Sequence, residues 1–232
     1  MKLDQKITEA SNIKSKDLDK KSTLEILNIF NTEDETVVKA VKDSINEINE
    51  IITLVIRSLK NNGRLFYVGA GTSGRLGVLD ASECVPTFSV SSDLFQGIIA
   101  GGKQAMFKSI ENAEDEITEI SGIISDKSIS SKDIVIGISC SGDAPFVLEF
   151  LNQSNEIGAS TALITFNDIE NLTFVNTILR VFVGPEIISG STRMKSGTAT
   201  KMILNMISTT TMIKLNKTYG NFMVDLKIMN KK

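Results

Sequence analysis

Short apolar runs alternate along the chain with segments whose apolar residues recur every three or four positions. The short runs predict five strands, at residues 65–68, 87–90, 134–138, 161–166 and 178–183. Runs of this kind are typical of strands that are buried on both faces of a parallel sheet. Because they alternate with helical segments, they predict an α/β fold, a three-layer sandwich around a doubly wound, mainly parallel five-stranded sheet.

The first 62 residues predict helices that precede this α/β domain. Residues 1–21 are polar and lack periodicity, so we expect an arm that is ordered only where it packs on the rest of the protein. Residues 22–30 predict a short helix. Thr32 and Glu35 have the spacing of a capping box, and the periodicity after them predicts one long amphipathic helix that ends near Gly63.

Further helices are expected within the α/β domain, which we place at residues 63–232. They are predicted at residues 76–84, 103–124 and 146–155, and from about residue 195 onward. We expect Pro86 to stop the first of them. The last carries a stripe of Met, Ile and Leu, which indicates a contribution to the core or to a subunit interface.

A glycine-rich loop follows the first predicted strand, in the stretch LFYVGAGTSGRLGVLDASECVPT. Gly69, Gly71 and Gly74 lack a Cβ atom, which allows backbone N–H groups to approach a ligand closely. If Thr72 and Ser73 open the next helix, their hydroxyls and the free N–H groups of its first turn face the ligand, and the helix dipole favours an anion. The loop therefore predicts a phosphate-binding site.

The same glycines match the GxGxxG fingerprint of dinucleotide-binding proteins, so the type of ligand is open at this stage. Hydroxyl residues fill the gaps between the glycines. Ser89 stands about twenty residues further on, where an acid that binds ribose is expected, although Asp93 is nearby. Both features argue against NAD. A tight strand-to-helix turn that binds nothing is the other alternative for this stretch alone.

Two other loops carry small hydroxyl residues. Ser139 and Ser141 follow the third predicted strand, and Ser191 and Thr192 precede the last helix beside two cationic residues. Loops at the carboxyl ends of neighbouring parallel strands meet at one edge of the sheet. One such loop alone would indicate only helix capping. The three loops together predict a site for a sugar phosphate, because hydroxyls and cations satisfy both phosphate oxygens and sugar hydroxyls.

The composition narrows the chemistry. The 232 residues carry a net charge of −3 and no histidine. Histidine-based triads, most zinc sites and histidine-assisted opening of sugar rings are therefore excluded, and proton transfer is left to carboxylates, Lys, Tyr or Cys. We expect no metal and no cofactor. Because the chain has no broad basic field, we expect no nucleic-acid partner.

Neither a signal peptide nor a membrane-spanning run is evident, so no membrane partner is expected and the cytoplasm is the expected location. Cys84 and Cys140 have no metal-type spacing. We expect both to be reduced and half-buried beside the site, without a disulfide.

Several stretches of the chain resemble one known family. They are GRLFYVGAGTSGRLGVLDASECVPTF, IAGG through ENAED, GPEIISGSTRMKSGTATKMILNMIS and YGNFMVDLK, together with TEASN and LDKKSTLEILNIFNTED near the start. Over nearly its whole length the chain is similar to the N-acetylmuramic acid 6-phosphate etherases. These form a branch of the sugar isomerase (SIS) domain superfamily that is shared with the glucokinase regulatory protein.

The resemblance implies a lyase of peptidoglycan amino-sugar recycling that needs no metal or cofactor. The family cleaves the D-lactyl ether at C3 of N-acetylmuramic acid 6-phosphate and yields N-acetylglucosamine 6-phosphate and D-lactate. Elimination across C2 and C3 of the open-chain sugar precedes the addition of water. The resemblance also implies a homodimer with its sites near the interface.

The resemblance further implies roles for particular residues. Glu83 in DASEC matches the principal catalytic acid/base, and Glu114 in ENAED matches a second carboxylate linked to the water step. From the residues alone both would be interpreted as solvated acids, although a helix that runs from the phosphate loop to Pro86 would place Glu83 near that loop. The residues expected to bind phosphate and sugar are Thr72, Ser73, Ser139, Ser141, Ser191 and Thr192.

The chain departs from the family's pattern at Asp143, Ala144 and Phe146, where the family has a base, a hydroxyl residue and Tyr. A carboxylate close to a phosphate repels it, so we expect weaker binding or another substrate if Asp143 faces the site. The family continues with a helical segment beyond the last residue here, which implies either a fragment or a lost segment.

Two other functions remain open from the sequence. A non-catalytic phosphosugar-binding module, similar to the glucokinase regulatory protein, is favoured by the altered loop at Asp143 and opposed by the matching acids. An aldose–ketose isomerase of the same fold is opposed by the missing histidine.

Overall fold

A sheet of five parallel strands forms the centre of the computed structural model, which describes residues 6–224. The strands are β1 (Leu65–Gly69), β2 (Phe95–Ile99), β3 (Ile134–Ile138), β4 (Ser160–Thr165) and β5 (Thr177–Arg180). Their order is β2-β1-β3-β4-β5. The predicted doubly wound parallel sheet is confirmed, and β1, β3, β4 and β5 lie within a few residues of their predicted positions.

Helices cover both faces of the sheet. One face carries α1 (Thr23–Asp43), α2 (Ile45–Lys60), α3 (Gly71–Phe88) and α6 (Lys195–Lys214), and the other carries α4 (Ile120–Asp126) and α5 (Pro145–Glu156). A small hairpin follows α6, with β6 (Thr218–Tyr219) and β7 (Phe222–Met223). Tyr67 and Ile136 point towards the first group of helices, whereas Phe66 and Val135 point towards the second. Within residues 6–224, no helix has both the length and the apolar character needed to cross a membrane.

The direction of the strand order reverses at β1. From β1 the chain moves to β2 on one side, whereas β3 lies on the other side, so the loops after β1 and β3 diverge from a crevice between them. Ligands of open α/β sheets bind in such a crevice, at the carboxyl ends of the strands. The topology therefore places the glycine-rich loop beside the loop that carries Ser139 and Ser141.

The N-terminal helices are divided differently from the sequence prediction. α1 begins after Ser22, whose hydroxyl accepts a hydrogen bond from the N–H of Glu25 (3.4 Å), while the Glu25 carboxylate accepts one from the N–H of Ser22 (2.8 Å). The capping box predicted at Thr32 and Glu35 is wrong, since both lie inside α1. The predicted long helix is interrupted at Ser44. Because α1 and α2 pack against one core, the apolar periodicity does not reveal the break.

The region after the glycine-rich loop also differs. α3 continues through Pro86 to Phe88, so the strand predicted at residues 87–90 is wrong. α3 packs along β1, β2 and α6, and this packing outweighs the helix-breaking tendency of proline. The apolar Val90 is buried in the loop that follows, and the edge strand is β2, which pairs with β1.

The helix predicted at residues 103–124 is mostly absent. A 3-10 turn (Gly102–Met106) and a series of turns occupy its place until α4 begins. This acid-rich segment is held by its neighbours, since the Arg75 side chain donates to two of its carbonyl oxygens (3.3 Å each) and the Phe146 N–H donates to the carbonyl oxygen of Glu114 (2.9 Å). A sequence pattern that is typical of a helix thus occurs in a segment that forms turns over the edge of the sheet.

A buried ion pair ties the N-terminal arm to the helices. Nζ of Lys195, at the start of α6, lies 2.9 Å from a carboxylate oxygen of Glu33 in α1, and the two side chains are 2% and 4% exposed. Lys14 and Asn12 of the arm contact the same carboxylate at 2.9 and 2.6 Å. Burial alone would raise the pKa of Glu33, but the hydrogen bonds from Lys195, Lys14 and Asn12 outweigh burial and lower the pKa to about 2. Lys195 therefore braces the fold.

Replacement of Glu33 by Gln should lower the free energy of unfolding at pH 7 by about 3–5 kcal/mol, because Lys195 is left buried without a counter-charge. The pKa of Glu33 is lowered from its ordinary 4.5 to about 2 on folding, so the wild type should lose stability as the pH falls through this window. The variant should lose less over the same window. Urea denaturation at several pH values measures both effects.

Glu35→Gln is the matched control, because this side chain lies on the same helix and is exposed. It should change the free energy of unfolding by no more than about 0.5 kcal/mol. Equal losses from Glu33→Gln and Glu35→Gln would contradict a stabilising role for the buried ion pair.

Candidate functional site

The hydroxyl-bearing loops meet at one cavity of about 300 Å³ at the carboxyl edge of the sheet. It is bordered by the start of α3, the loop after β3, the loop before α6 and the N-terminal arm. Five of the six predicted binding residues line it: Thr72, Ser73, Ser139, Ser141 and Thr192. Ser191 does not, although both of its neighbours in the chain do. Among the described residues, those that line this cavity include no lysine and no arginine.

The start of α3 forms one wall of the cavity. A Cβ atom on Gly74 would lie 2.6 Å from the carbonyl oxygen of Gly69 and 2.6 Å from Cγ1 of Ile99, so α3 approaches β1 this closely only with glycine. Gly71 has a φ of 53°, which turns the chain from strand to helix. No side chain caps the helix at Ala70. The first N–H groups of α3 and the positive end of its dipole are therefore available to an anion.

The loop after β3 forms the facing wall, and Ser139 gives this loop its shape. Oγ of Ser139, a residue that is 3% exposed, accepts hydrogen bonds from the N–H groups of Gly142 (3.1 Å) and Ala144 (3.3 Å). It also lies 3.3 Å from Oγ of Ser141. Ser139 thus uses its acceptor capacity within the loop, and Ser141, whose Oγ accepts from the N–H of Asp143 (3.4 Å), is the more exposed of the two hydroxyl residues at the cavity.

Cys140 lies between these walls, 3.6 Å from Oγ of Ser73. Burial raises the pKa of Cys140 to about 11, so its thiol is neutral at pH 7 and does not repel an anion. Cys84 does not line this cavity and lies on the buried face of α3, where burial raises its pKa to about 12. Both cysteines are free, as the sequence predicts, but only Cys140 is half-buried beside the site.

Glu114 lies at the border between this cavity and a second one of about 360 Å³. The second cavity is lined by the acid-rich segment and the start of α3, with Arg75, Glu111 and Asp115 among its residues. The structure therefore brings Glu114 to the hydroxyl-bearing loops, although it sits in a turn and not on the predicted helix. Its role in catalysis stays a prediction.

The N-terminal arm supplies a further carboxylate that sequence reasoning did not identify. Glu9 lines the cavity at the end of a 3-10 turn (Ile7–Glu9). Its neighbour Thr8 is fully buried and exchanges hydrogen bonds with the side chain of Asn167, at 3.0 and 3.3 Å. The stretch TEASN, which resembles the N-terminal arm of the family, was the available signal.

Glu83 does not lie at this cavity. Twelve positions separate it from Gly71, so the two are about 18 Å apart along the axis of α3. Its exposed side chain borders a separate cavity of about 260 Å³ between α3 and α6. Within one chain, therefore, the helix carries Glu83 away from the phosphate loop, contrary to the position expected from Pro86. Its catalytic role stays a prediction.

Polar groups beside Glu83 form a connected chain. Asp80 is buried and accepts a hydrogen bond from Oγ of Ser208 (3.1 Å). This bond would lower the pKa of Asp80, but burial outweighs it and raises the pKa. The amide nitrogen of Asn205 is placed towards Asp80 and donates a hydrogen bond to it (3.1 Å). The amide oxygen of Asn205 accepts a hydrogen bond from Nζ of Lys201 (2.8 Å). Lys201 is thereby held at the cavity that Glu83 borders.

Asp143, which the sequence suggested would repel a phosphate, forms an ion pair with Lys6 of the arm. Burial would raise the pKa of Asp143, but hydrogen bonds from Lys6 and Ser141 outweigh burial and lower it. The Asp143 side chain is 59% exposed and does not line the cavity. Its charge is therefore offset by the arm. Of the other departures, Ala144 lines the cavity and Phe146 is buried.

This fold occurs in phosphosugar isomerases. A protein from Escherichia coli CFT073, solved in complex with a ligand, matches with a TM-score of 0.60 and 16% identity, over 87% of this chain and 97% of that chain. A phosphoheptose isomerase from Francisella tularensis matches with a TM-score of 0.58 and 15% identity, over 82% of this chain and all of that one (100%). Residues 47–155 match the family model of the glucokinase regulatory protein N-terminal SIS domain. The fold is thus that of an SIS domain.

Relatives named N-acetylmuramic acid 6-phosphate etherase are much more similar in sequence. The protein from Clostridium botulinum (strain Okra) is 49% identical over 99% of this chain and 76% of its own length. Those from Prochlorococcus marinus (strain NATL2A) and Oceanobacillus iheyensis are 51% and 50% identical, over 97% and 99% of this chain and 73% and 79% of their own lengths. The chain belongs to the N-acetylmuramic acid 6-phosphate etherase family and spans about three quarters of the length of these relatives. The resemblance stated from the sequence is confirmed.

Lys6→Met should weaken the binding of phosphate in the cavity, because it leaves the charge of Asp143 uncompensated nearby. We expect the Kd for inorganic phosphate to rise about two- to fivefold, which corresponds to about 0.5–1 kcal/mol for a partly exposed pair. Isothermal titration calorimetry measures this change. The double variant Lys6→Met/Asp143→Asn should bind as the wild type does. If it binds as weakly as Lys6→Met, the lysine itself contacts phosphate and the compensation is refuted.

Proposed function

We propose that the protein cleaves the D-lactyl ether of N-acetylmuramic acid 6-phosphate, which gives N-acetylglucosamine 6-phosphate and D-lactate, in the recycling of peptidoglycan amino sugars. One observation carries the proposal, namely the identity of about one half with the etherases over nearly the whole chain. The cavity at the start of α3, which presents N–H groups and hydroxyls to an anion, supports a phosphorylated substrate.

The reaction is an elimination followed by an addition. The C1 carbonyl of the open-chain sugar acidifies the C2 proton, so a base removes this proton and its electron pair forms the C2–C3 double bond. The C3–O bond breaks, and lactate leaves with a proton from an acid. Water then adds at C3 while a proton returns to C2. Carboxylates perform each of these proton transfers, so a chain without histidine is competent.

Within the site, we assign phosphate binding to the first turn of α3 with Thr72 and Ser73, assisted by Ser141 and Thr192. We assign the water step to Glu114, because it borders both cavities and so faces the part of the sugar that extends beyond the phosphate. Glu83 is the proposed acid/base for C2 and the leaving lactate. Ser139 supports the site by shaping its loop.

A second copy of the chain is needed to bring Glu83 to the phosphate cavity. A separation of about 18 Å along α3 exceeds the reach of one sugar phosphate. We therefore propose a homodimer in which Glu83 of one copy faces the cavity of the other. The apolar side chain of Leu79, one turn before Glu83 on α3, is 48% exposed and would be covered by such a partner.

A non-catalytic phosphosugar-binding module is the alternative. The match of residues 47–155 to the glucokinase regulatory protein domain fits either function, since both share the SIS fold. The half-identity with etherases and the presence of Glu83 and Glu114 favour the enzyme. We further propose that the enzyme acts in the cytoplasm, because its two cysteines are free and a phosphorylated sugar is retained inside the cell.

Incubation with N-acetylmuramic acid 6-phosphate should release D-lactate, detected by coupling to lactate dehydrogenase. Glu83→Gln should lower kcat by about 100- to 10,000-fold, the usual contribution of a general acid/base, with little change in unfolding free energy because the side chain is exposed. Glu156→Gln, at the exposed end of α5, is the matched control and should leave kcat unchanged. Folded wild-type protein that binds the substrate but releases no lactate would support the binding module instead.

A mixed dimer tests whether Glu83 acts across the interface. Glu83→Gln and Ser141→Asp should each inactivate the homodimer, the second because its carboxylate repels phosphate. A heterodimer of the two, isolated with two different affinity tags, would contain one intact site and should recover about half of the wild-type activity. An inactive heterodimer would show that Glu83 and the phosphate cavity must belong to one chain.

A further inference from the structure

The proposed elimination needs the open-chain sugar, but none of the residues assigned so far opens the sugar ring. A 6-phosphorylated amino sugar is mostly a closed ring in water, so the C1–O5 bond must break before the C2 proton becomes acidic. Opening the ring requires a group that removes the proton of the C1 hydroxyl and a group that protonates O5. The chain has no histidine to do either.

Glu9 is held at the phosphate cavity by contacts that fix its position. The carbonyl oxygen of Thr8 accepts from the N–H of Gly190 (3.1 Å), and the side chain of Asn167 donates to Thr8 Oγ (3.0 Å) and to the carbonyl oxygen of Cys140 (2.9 Å). Thr8 and Asn167 are fully buried. The turn that carries Glu9 is thus joined to both loops that form the cavity, although it has little helical structure of its own.

The loop before α6 leaves room for the Glu9 carboxylate. Oε2 of Glu9 lies 2.8 Å from the place that a Cβ atom on Gly190 would occupy. Gly190 also has a φ of 76°, which favours glycine. The absence of a side chain at this position therefore allows Glu9 to lie against the wall of the cavity that holds Thr192.

The two carboxylates at the phosphate cavity have different surroundings. Glu114 borders both cavities, whereas Glu9 borders only the cavity of about 300 Å³ that the hydroxyl-bearing loops line. In a sugar 6-phosphate, O5 is separated from the phosphate ester oxygen by only two carbons, and C1 follows O5. C3, which carries the ether, lies across the ring. A carboxylate confined to the phosphate end is therefore suited to O5 and C1, and one at the border is suited to C3, where water adds.

We propose that Glu9 is the acid/base that opens the sugar ring, a role that rests on the proposed function and adds a step to it. One oxygen of the Glu9 carboxylate takes the proton of the C1 hydroxyl, and the electron pair of that O–H bond forms the C1 carbonyl. The C1–O5 bond breaks, and its electron pair on O5 takes this same proton from the carboxyl group. The carboxylate is regenerated, and no proton is gained or lost.

Exchange between the two anomers of N-acetylglucosamine 6-phosphate tests this step without the elimination. The anomers interconvert only through the open chain, and exchange NMR of their anomeric protons measures the rate. The wild type should accelerate the exchange, and Glu9→Gln should lower the enzyme-catalysed rate about 100-fold or more, as expected for loss of a general acid/base. Glu156→Gln, at the exposed end of α5, is the matched control and should retain the full acceleration.

Calorimetric titration of the same sugar phosphate separates catalysis from binding. Glu9→Gln should bind it within about threefold of the wild type, because the cradle of N–H groups and hydroxyls is intact. The proposal is overturned if the wild type does not accelerate exchange, if Glu9→Gln accelerates it fully, or if the variant loses binding in proportion to rate. Absence of lactate release by a wild type that still accelerates exchange would refute the etherase function and leave ring opening standing.

Discussion

The contact between Gly74 of α3 and Gly69 of β1 is the constraint on which the rest of the site depends. A single methyl group on Gly74 would meet the carbonyl oxygen of Gly69 at 2.6 Å, so any larger residue would push α3 outward. The N-terminus of α3 then could not open directly at the sheet edge, and Thr72 and Ser73 would move away from the loop after β3. The dipole and free N–H groups of the helix are useful only because this contact is so close.

The N-terminal arm contributes both to the stability of the fold and to the candidate site. Its short turns are fixed by buried polar contacts, in which Thr8 meets Asn167 and Asn12 meets Glu33. These partners belong to the folded α/β domain and to α1, so the arm becomes ordered only against surfaces that already exist. The same segment brings Glu9 to the cavity and Lys6 to Asp143. A change that loosens the arm therefore alters the site as well as the fold.

The sequence predicts well those features that depend on local pattern. The parallel sheet, the glycine-rich turn from β1 into α3 and the convergence of Ser73, Ser141 and Thr192 follow from apolar runs, glycine spacing and the loops at the strand ends. The features that it misses depend on contacts between distant residues. The acid-rich segment is unwound because Arg75 and α5 hold it, and α3 passes Pro86 because sheet and helix pack along it. The position of Glu9 depends on a buried partner, Asn167, that is distant in the chain.

The cavity proposed to bind phosphate offers a doubly charged group neutral donors only, since none of its described lining residues is a lysine or an arginine. Neutral donors act only at contact distance and do not draw anions from afar. Discrimination among cellular phosphates then depends on shape and hydrogen-bond direction, and it should vary little with ionic strength. Such a site also lacks a cation that would retain the phosphate group of the product. The absence of cations therefore slows the binding of one sugar phosphate but favours its rapid release.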